Sequence, residues 1–309
     1  MDKLQCILCY SNDIIKTESI NTNDLVKLYR KRAGVDVRRF FAQKNIDFCS
    51  CKNCGLKFYW PQAIGDGMFY DELQQYRNYY LPEKAEFIEA TKHITNADEV
   101  LEIGCGEGIF TNFIEYKSYT GLEFSDKAII KAGSKGLNVL KQTIEEHSDS
   151  NKEKYDAICC FQVLEHVKNP NTFISDCIKC LKHGGKLIIA VPSEDSFINQ
   201  AVNFYLNMPP HHATRWSDDT LKKVADIFRL ELIHIFHEQL HQDHKLFYLK
   251  TIHYRKFISL LRLNYKSVNL NFLNTLLYSV AVALSSPLKF IMKINKKTMG
   301  QSVFIIYKK

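Results

Sequence analysis

Three glycines at alternate positions follow a short apolar run in "EVLEIGCGEGIF" (99–110), namely Gly104, Gly106 and Gly108. A strand that ends in glycines and opens a helix brings backbone N–H groups close to a ligand, and phosphate or ribose is the usual one. Glu123 ends the next strand-like run, 19 residues after Gly104, where a carboxylate can accept both hydroxyls of a ribose. A dinucleotide fingerprint would need a sixth-position glycine, and that position is Ile109. A second chemistry sits at the front of the chain. Cys6 and Cys9 form one C-x-x-C knuckle, and Cys51 and Cys54 form another, with Cys49 as a spare that could replace Cys51. Two thiolates from each knuckle make a tetrahedral zinc site. Cys177 and Cys180 repeat the spacing inside a helix-like run and read as core thiols.

These residues need elements to position them. "EVLEI" (99–103), "YTGLE" (119–123), "LNVL" (137–140), "YDAICC" (155–160) and "KLIIAV" (186–191) are short apolar runs, the mark of buried parallel strands. Helix-like stretches separate them. In "NPNTFISDCIKCLKHGG", Asn169 is a candidate cap, Pro170 suits the first turn, and Gly184–Gly185 mark the stop. "RLELIHIF" (229–236) and "QSVFIIYKK" (301–309) read as two further strands. The alternation predicts an α/β, doubly wound, mostly parallel seven-stranded sheet behind a small zinc module. The expected division is 1–75 for the module and 76–309 for the α/β domain, with a lid at 193–220 and a basic helical insertion at 246–298. The first 75 residues show no long periodic pattern.

The glycine loop, with the spacing E-x-G-x-G-x-G from Glu102 to Gly108, resembles the first motif of class I S-adenosylmethionine-dependent methyltransferases. Three later stretches resemble the branch that includes the ubiquinone-biosynthesis-type enzymes: "YDAICCFQVLEHVKNP", "LKHGGKLIIAVPS" and "PPHHATRW". The resemblance implies that Gly104, Cys105, Gly106 and Gly108 bring the backbone to the cofactor. It also implies that Glu102 orients the loop or the methionyl amine. Glu123 would hold the ribose, Phe124 would cover the adenine, and Phe161 and Gln162 would sit beside the sulfonium. Gln142 stands where the family often has an acidic residue facing the adenine amine. Methyl transfer needs an aligned nucleophile and an acceptor for its proton, a task that suits histidine near neutral pH. His166, after the fourth strand, and His211 and His212, in the lid segment, are the candidates. Tyr205, Arg215 and Trp216 are expected in the pocket wall, with Arg215 facing a phosphate or carboxylate. "CxxCGL-x-F-x-x-P" at Cys51 resembles the knuckle ahead of this domain in several bacterial sugar-modifying enzymes. The implied acceptor is a small molecule, a sugar or nucleotide-linked sugar of a surface polysaccharide or related pathway. RNA is the second acceptor class, and a non-catalytic binding protein of the same fold is a third reading.

"HEQLH" (237–241) matches the H-E-x-x-H signature of zinc hydrolases, which needs a helix so that both histidines face one metal. Here it follows a strand-like run directly.

With 46% hydrophobic and 24% charged residues, a packed core is expected and global disorder is excluded. Ten cysteines and no secretory pattern in "MDKLQCILCYSND" point to thiols or metal ligands in a reducing compartment, with a cytoplasmic location expected. The net charge of +7 is uneven. No Asp or Glu follows Asp243, while that tail carries 12 of the 41 Lys and Arg residues. Such asymmetry suggests an anionic partner, either a phosphate-bearing acceptor or the inner face of a membrane; DNA is not expected. Leu270 to Leu288 carries no charge, yet it holds Asn271, Asn274, three serines and Pro287. It is too short and too polar to span a bilayer, which needs about 20 apolar residues, and reads as a buried or amphipathic helix.

Overall fold

The computed structural model describes residues 4–75, 85–295 and 297–309. The expected module boundary, at 75/76, meets residues 76–84, which lie outside the described set.

The amino-terminal part carries β1 (Ile14–Asn21), α1 (Thr22–Ala33), β2 (Asn45–Cys51), β3 (Lys57–Trp60) and α2 (Gly67–Gln75). α1 corrects the reading of this part as lacking periodicity. Leu25, Leu28 and Tyr29 bury one face, the Asn21 side chain accepts from the N–H of Asn23, and Gly34 closes the helix at φ 66°. The 12-residue pattern was present but short among polar neighbours.

α3 (Ala85–Thr91) leads into the main sheet, built from β4 (Glu99–Ile103), β5 (Ser118–Leu122), β6 (Val139–Leu140), β7 (Tyr155–Phe161) and β8 (Leu181–Pro192). α4 (Asp126–Ser134), α5 (Ile144–Ser148) and α6 (Pro170–Cys180) connect these strands. After β8 come the short β9 (Thr214–Arg215), α7 (Asp218–Phe228), β10 (Glu231–Gln239), the helical pair α8 (Lys245–Leu260) and α9 (Phe272–Ile291), and β11 (Met299–Lys308). The seven strands run in the order β10-β11-β8-β7-β4-β5-β6. The five inner-chain strands pair in parallel, while β11 is antiparallel to β8 and β10 to β11. The expected fold class is therefore the observed one. The parallel strands are apolar throughout because both faces are covered: Leu101, Ile158 and Ile189 face one cluster, and Val100, Ala157 and Ile188 the other.

Two local expectations change. Asn169 makes no side-chain cap, and Pro170 starts α6 without one. Its neighbour Asn171 instead donates to the carbonyl of Leu8, tying α6 to the first cysteine knuckle. The helix stops at Cys180, before the two glycines. Gly184, at φ 79°, turns within β8, and its N–H donates to the carbonyl of Lys309.

A second sheet, in the order β1-β2-β3-β9, joins the two parts of the chain. Phe58 pairs with Thr214 and Lys57 with Arg215. The segment after β8 thus supplies the last strand of the amino-terminal sheet.

Candidate active site

The glycine loop leaves the carboxyl end of β4, where ligands bind in open α/β sheets. Gly104, Gly106 and Gly108 have φ values of 70°, 54° and 71°, a region that side chains other than glycine rarely adopt. At Gly104 a Cβ would also stand 2.5 Å from Val163 Cγ2. Glu123, just past β5, ties the loop together. One carboxylate oxygen accepts the N–H of Gly106 at 2.9 Å, and the other accepts those of Phe124 and Ser125 at 2.7 and 2.8 Å. A carboxylate has about four lone-pair sites, so capacity remains for a hydroxyl.

A cavity of about 1940 Å³ opens over this loop. Gly104, Glu123, Phe124, Gln142, Phe161 and Gln162 all line it. Four expected cofactor residues do not. Glu102 is buried and accepts the Tyr119 hydroxyl at 2.6 Å, so it braces the strand pair beneath the loop. Cys105 is buried, with its Sγ filling the space that a Cβ on Gly121 would need. Gly106 and Gly108 shape the turn behind the lining. Gln142 Oε1 accepts Nδ1–H of His147, which in turn accepts the Tyr155 hydroxyl. Gln162 holds φ 58° at the end of β7, an uncommon conformation for a side-chain-bearing residue, and its amide reaches Ser302 at 3.1 Å.

The three histidines line the same cavity. His166 sits on the turn after β7, and His211 and His212 on the segment before β9. One ring nitrogen from each lies within 4.8 Å of the other two, a set able to hold a metal ion. Nδ1–H of His166 donates to the carbonyl of His211, that of His211 to Leu206, and that of His212 to the Asn207 side chain. This tautomer leaves the Nε2 lone pair of each ring as the acceptor. Burial pushes His166 down to about 4 and the other two well below their usual range, so all three are neutral at pH 7. Glu165 Oε1 lies 3.7 Å from His166 Nε2 and 3.9 Å from His212 Nε2.

The amino-terminal part supplies residues that the motifs did not reveal. Tyr70 of α2 stands 3.1 Å from His166 Nδ1 and donates to the His211 carbonyl. Tyr29 of α1 donates to the carbonyls of Tyr205 and Met208, and Tyr59 of β3 to that of Asn207. These three tyrosines fix the loop that carries His211 and His212. No motif specified them: Tyr59 is an unspecified position of the Cys51 knuckle pattern, and Tyr29 and Tyr70 lie outside every motif. Glu86, buried on α3 and lining the cavity, was missed for the same reason.

Two wall residues are corrected. Trp216 is wholly buried and donates its Nε1–H to Thr214 Oγ1, and Arg215 is buried against Phe48, Tyr59, Asn207 and Glu194. Neither lines the cavity, so Arg215 joins the two sheets and is closed to an acceptor's phosphate. Tyr205 does line it.

The four cysteines Cys6, Cys9, Cys51 and Cys54 bring their sulfurs within 4.8 Å of one another, with Cys6–Cys54 at 3.5 Å and Cys9–Cys51 at 3.6 Å. Four sulfurs at about 2.3 Å from one zinc stand roughly 3.8 Å apart, so the donor set fits the ion. Cys49 points away, with its Sγ against the carbonyl of Asp47. The "HEQLH" stretch has no zinc-hydrolase geometry. His237 to Gln239 belong to β10, His237 bonds Asp218, Glu238 accepts the N–H groups of Gln301 and Ser302, and His241 pairs with Asp243. An extended chain rises about 3.3 Å per residue, so positions four apart stand roughly 13 Å from each other and do not meet at one metal.

Comparison with known proteins agrees with this geometry. The methyltransferase domain model matches residues 71–235, more than half of the chain. The ubiquinone biosynthesis O-methyltransferase of Vibrio atlanticus is 29% identical over 140 residues, covering 42% of this chain and 56% of that protein. The protein of the same name from Erwinia tasmaniensis is 32% identical over 106 residues, covering 32% and 44%. The chain thus spans about half the length of these curated relatives. Among solved structures, a SAM-dependent methyltransferase from Archaeoglobus fulgidus superposes with a TM-score of 0.50 at 20% identity, over 79% of this chain and all of that one. The chain belongs to the methyltransferase domain family and has the fold of the S-adenosylmethionine-dependent enzymes.

Proposed function

We propose that the protein transfers the methyl group of S-adenosylmethionine to an oxygen of a small hydroxylated acceptor. One observation carries this reading. Gly104 and Glu123 line the same cavity as His166, His211 and His212, at the carboxyl edge of the parallel strands. When bound, the cofactor's sulfonium supplies the methyl group. Glu123 would hold the ribose hydroxyls, Gly104 would let the backbone approach, and Phe124 and Gln142 would flank the adenine. Phe161 and Gln162 would border the reacting methyl. His166 would accept the acceptor's proton at Nε2, because its Nδ1–H is committed to the His211 carbonyl. Tyr70 would hold that ring in place. Cys6, Cys9, Cys51 and Cys54 would hold a structural zinc ion.

The acceptor class we infer is a sugar carried on a phosphate, as in nucleotide-linked sugars. The cavity is larger than the roughly 300–1,000 Å³ of an ordinary small-ligand site, which leaves room beside a cofactor for a bulky acceptor. Arg32 and Lys250 on its lining supply cations for a phosphate. The resemblance of the cysteine module to that of sugar-modifying enzymes supports the same class.

The test is transfer of label from methyl-labelled S-adenosylmethionine to a panel of nucleotide-sugars and simple phenols, with the parent protein and His166→Ala. Labelled product from the nucleotide-sugars, lost in the variant, supports the reading. Labelling of the phenols alone would replace the acceptor class, and no labelling of either would reject the activity.

A further inference from the structure

We propose that the α8–α9 hairpin is a docking surface for an anionic lipid bilayer, and that it lies flat on the headgroup layer. α9 has 20 residues and is about 30 Å long at 1.5 Å per residue. Its inner face packs on α8, where Tyr254 bonds Asn274 and His253 bonds Ser285. Its outer face carries Leu273, Leu276, Val280, Leu284 and Ile291, all exposed and all on one helical stripe. Phe272 and Phe290, at the two ends, are 83% and 79% exposed, and Leu260, the last residue of α8, is 78% exposed. A helix face turned to water normally carries charge, and this one has none from Leu270 to Leu288.

Charge frames the stripe at both ends. Arg262 and Lys266 flank the turn, and Lys293 and Lys297 follow α9, all exposed. No acidic residue occurs anywhere in the chain after Asp243. An apolar stripe between cationic ends is the pattern of a helix lying in a membrane interface, and no helix among the described residues is long and apolar enough to cross one. A second copy is the less favoured occupant, because pairing two such hairpins would bring their cationic ends into the same interface with no acidic partners.

The hairpin is fixed to the body. Ser267 donates to Glu18 of β1, and Asn269 and Asn203 exchange two hydrogen bonds of 2.8 Å. Phe247, Lys250 and Tyr278 of the same hairpin line the cavity. Docking would therefore set part of the cavity rim beside the lipid headgroups. The surface itself does not depend on the methyl-transfer reading.

The test is flotation of the full chain with vesicles of phosphatidylcholine alone and of phosphatidylcholine with phosphatidylglycerol, at low and high salt. We expect binding to the anionic vesicles only, weakened by salt. Leu276→Asp with Leu284→Asp should abolish it, and Lys293→Glu should weaken it by at least roughly fivefold, from about 1 kcal/mol per surface lysine. Circular dichroism and thermal melting establish that each variant is folded, and cofactor titration is run separately, so that failed docking and failed cofactor binding remain distinguishable. No binding of the folded parent to anionic vesicles would overturn the proposal, as would unchanged binding of the folded aspartate variant. A concentration-dependent dimer in light scattering, lost in the aspartate variant and unaffected by vesicles, would assign the stripe to a second copy instead.

Discussion

At the scale of the residue, the proposed chemistry rests on the histidines. His166, held near 4 by burial, is neutral when folded and protonates more readily when unfolded, where its ordinary value is 6.5. The unfolded chain therefore binds the extra proton as pH falls from about 6.5 to about 4, and stability is lost across that window. We expect the thermal midpoint to fall between pH 6.5 and 4.5 and to be flat above 7, with His166→Gln flattening part of the slope; a midpoint that rises on acidification would contradict the burial. In kinetics, His166→Ala should lower kcat by roughly 10²- to 10⁴-fold, the usual share of a general base, while leaving the cofactor's Kd within about twofold. Tyr70→Phe removes only a positioning hydroxyl and should lower kcat by roughly three- to tenfold, since a typical hydrogen bond is worth about 1 kcal/mol. The glycine-loop half of this site was legible because it is local. Glu99 to Glu123 form one strand, glycine turn and strand, with only a four-residue 3-10 turn (Ile109–Asn112) where a helix was expected, and its spacing is visible in a line of text. Tyr29, Tyr59 and Tyr70 were not legible, because they meet the histidine loop across more than 130 residues of chain, and no local pattern records that meeting.

At the scale of the element, the parallel strands were readable from continuous apolar runs, since both faces of each are buried. "HEQLH" was correctly doubted for a related reason, as the β10 pattern reaches Gln239 before any helix begins. α1 was missed because its apolar positions are few and lie among charged ones. β9 was unreadable, being two residues long and existing only because β3 offers it an edge. That edge has a consequence for zinc. The knuckle at Cys51 and Cys54 joins β2 to β3, and β3 holds β9, which begins two residues after His212. Chelation of zinc should therefore disorder the histidine loop as well as the module. We expect one zinc per chain by elemental analysis, and loss of methyl transfer on chelation with cofactor binding retained. Cys54→Ser should behave like the chelated protein. Full activity in a metal-free preparation would contradict this coupling.

At the scale of the whole molecule, two sheets share the work. The seven-stranded sheet carries the glycine loop and Glu123, and Tyr59 of the four-stranded sheet bonds the segment that carries His211 and His212. Arg215 of β9, buried against Phe48 and Tyr59 of the four-stranded sheet, also pairs at 3.8 Å with Glu194, just past β8 of the larger sheet. Parts joined by strand pairing and a buried arginine should unfold together, so calorimetry of the metal-loaded protein should show a single transition with matching calorimetric and van't Hoff enthalpies. Two separated transitions would mean that the module folds independently. The charge imbalance belongs to this scale too, since it sits in the tail that holds the hairpin. The central claim, that this cavity is built for S-adenosylmethionine, is tested most directly by titrating the cofactor into the parent and Glu123→Ala in a calorimeter. The account predicts saturable one-to-one binding to the parent, weakened at least roughly tenfold in the variant, on the scale of about 1.5–3 kcal/mol for hydrogen bonds to a charged group. No heat and no thermal stabilisation of the folded parent, or equal affinity in both proteins, would contradict it.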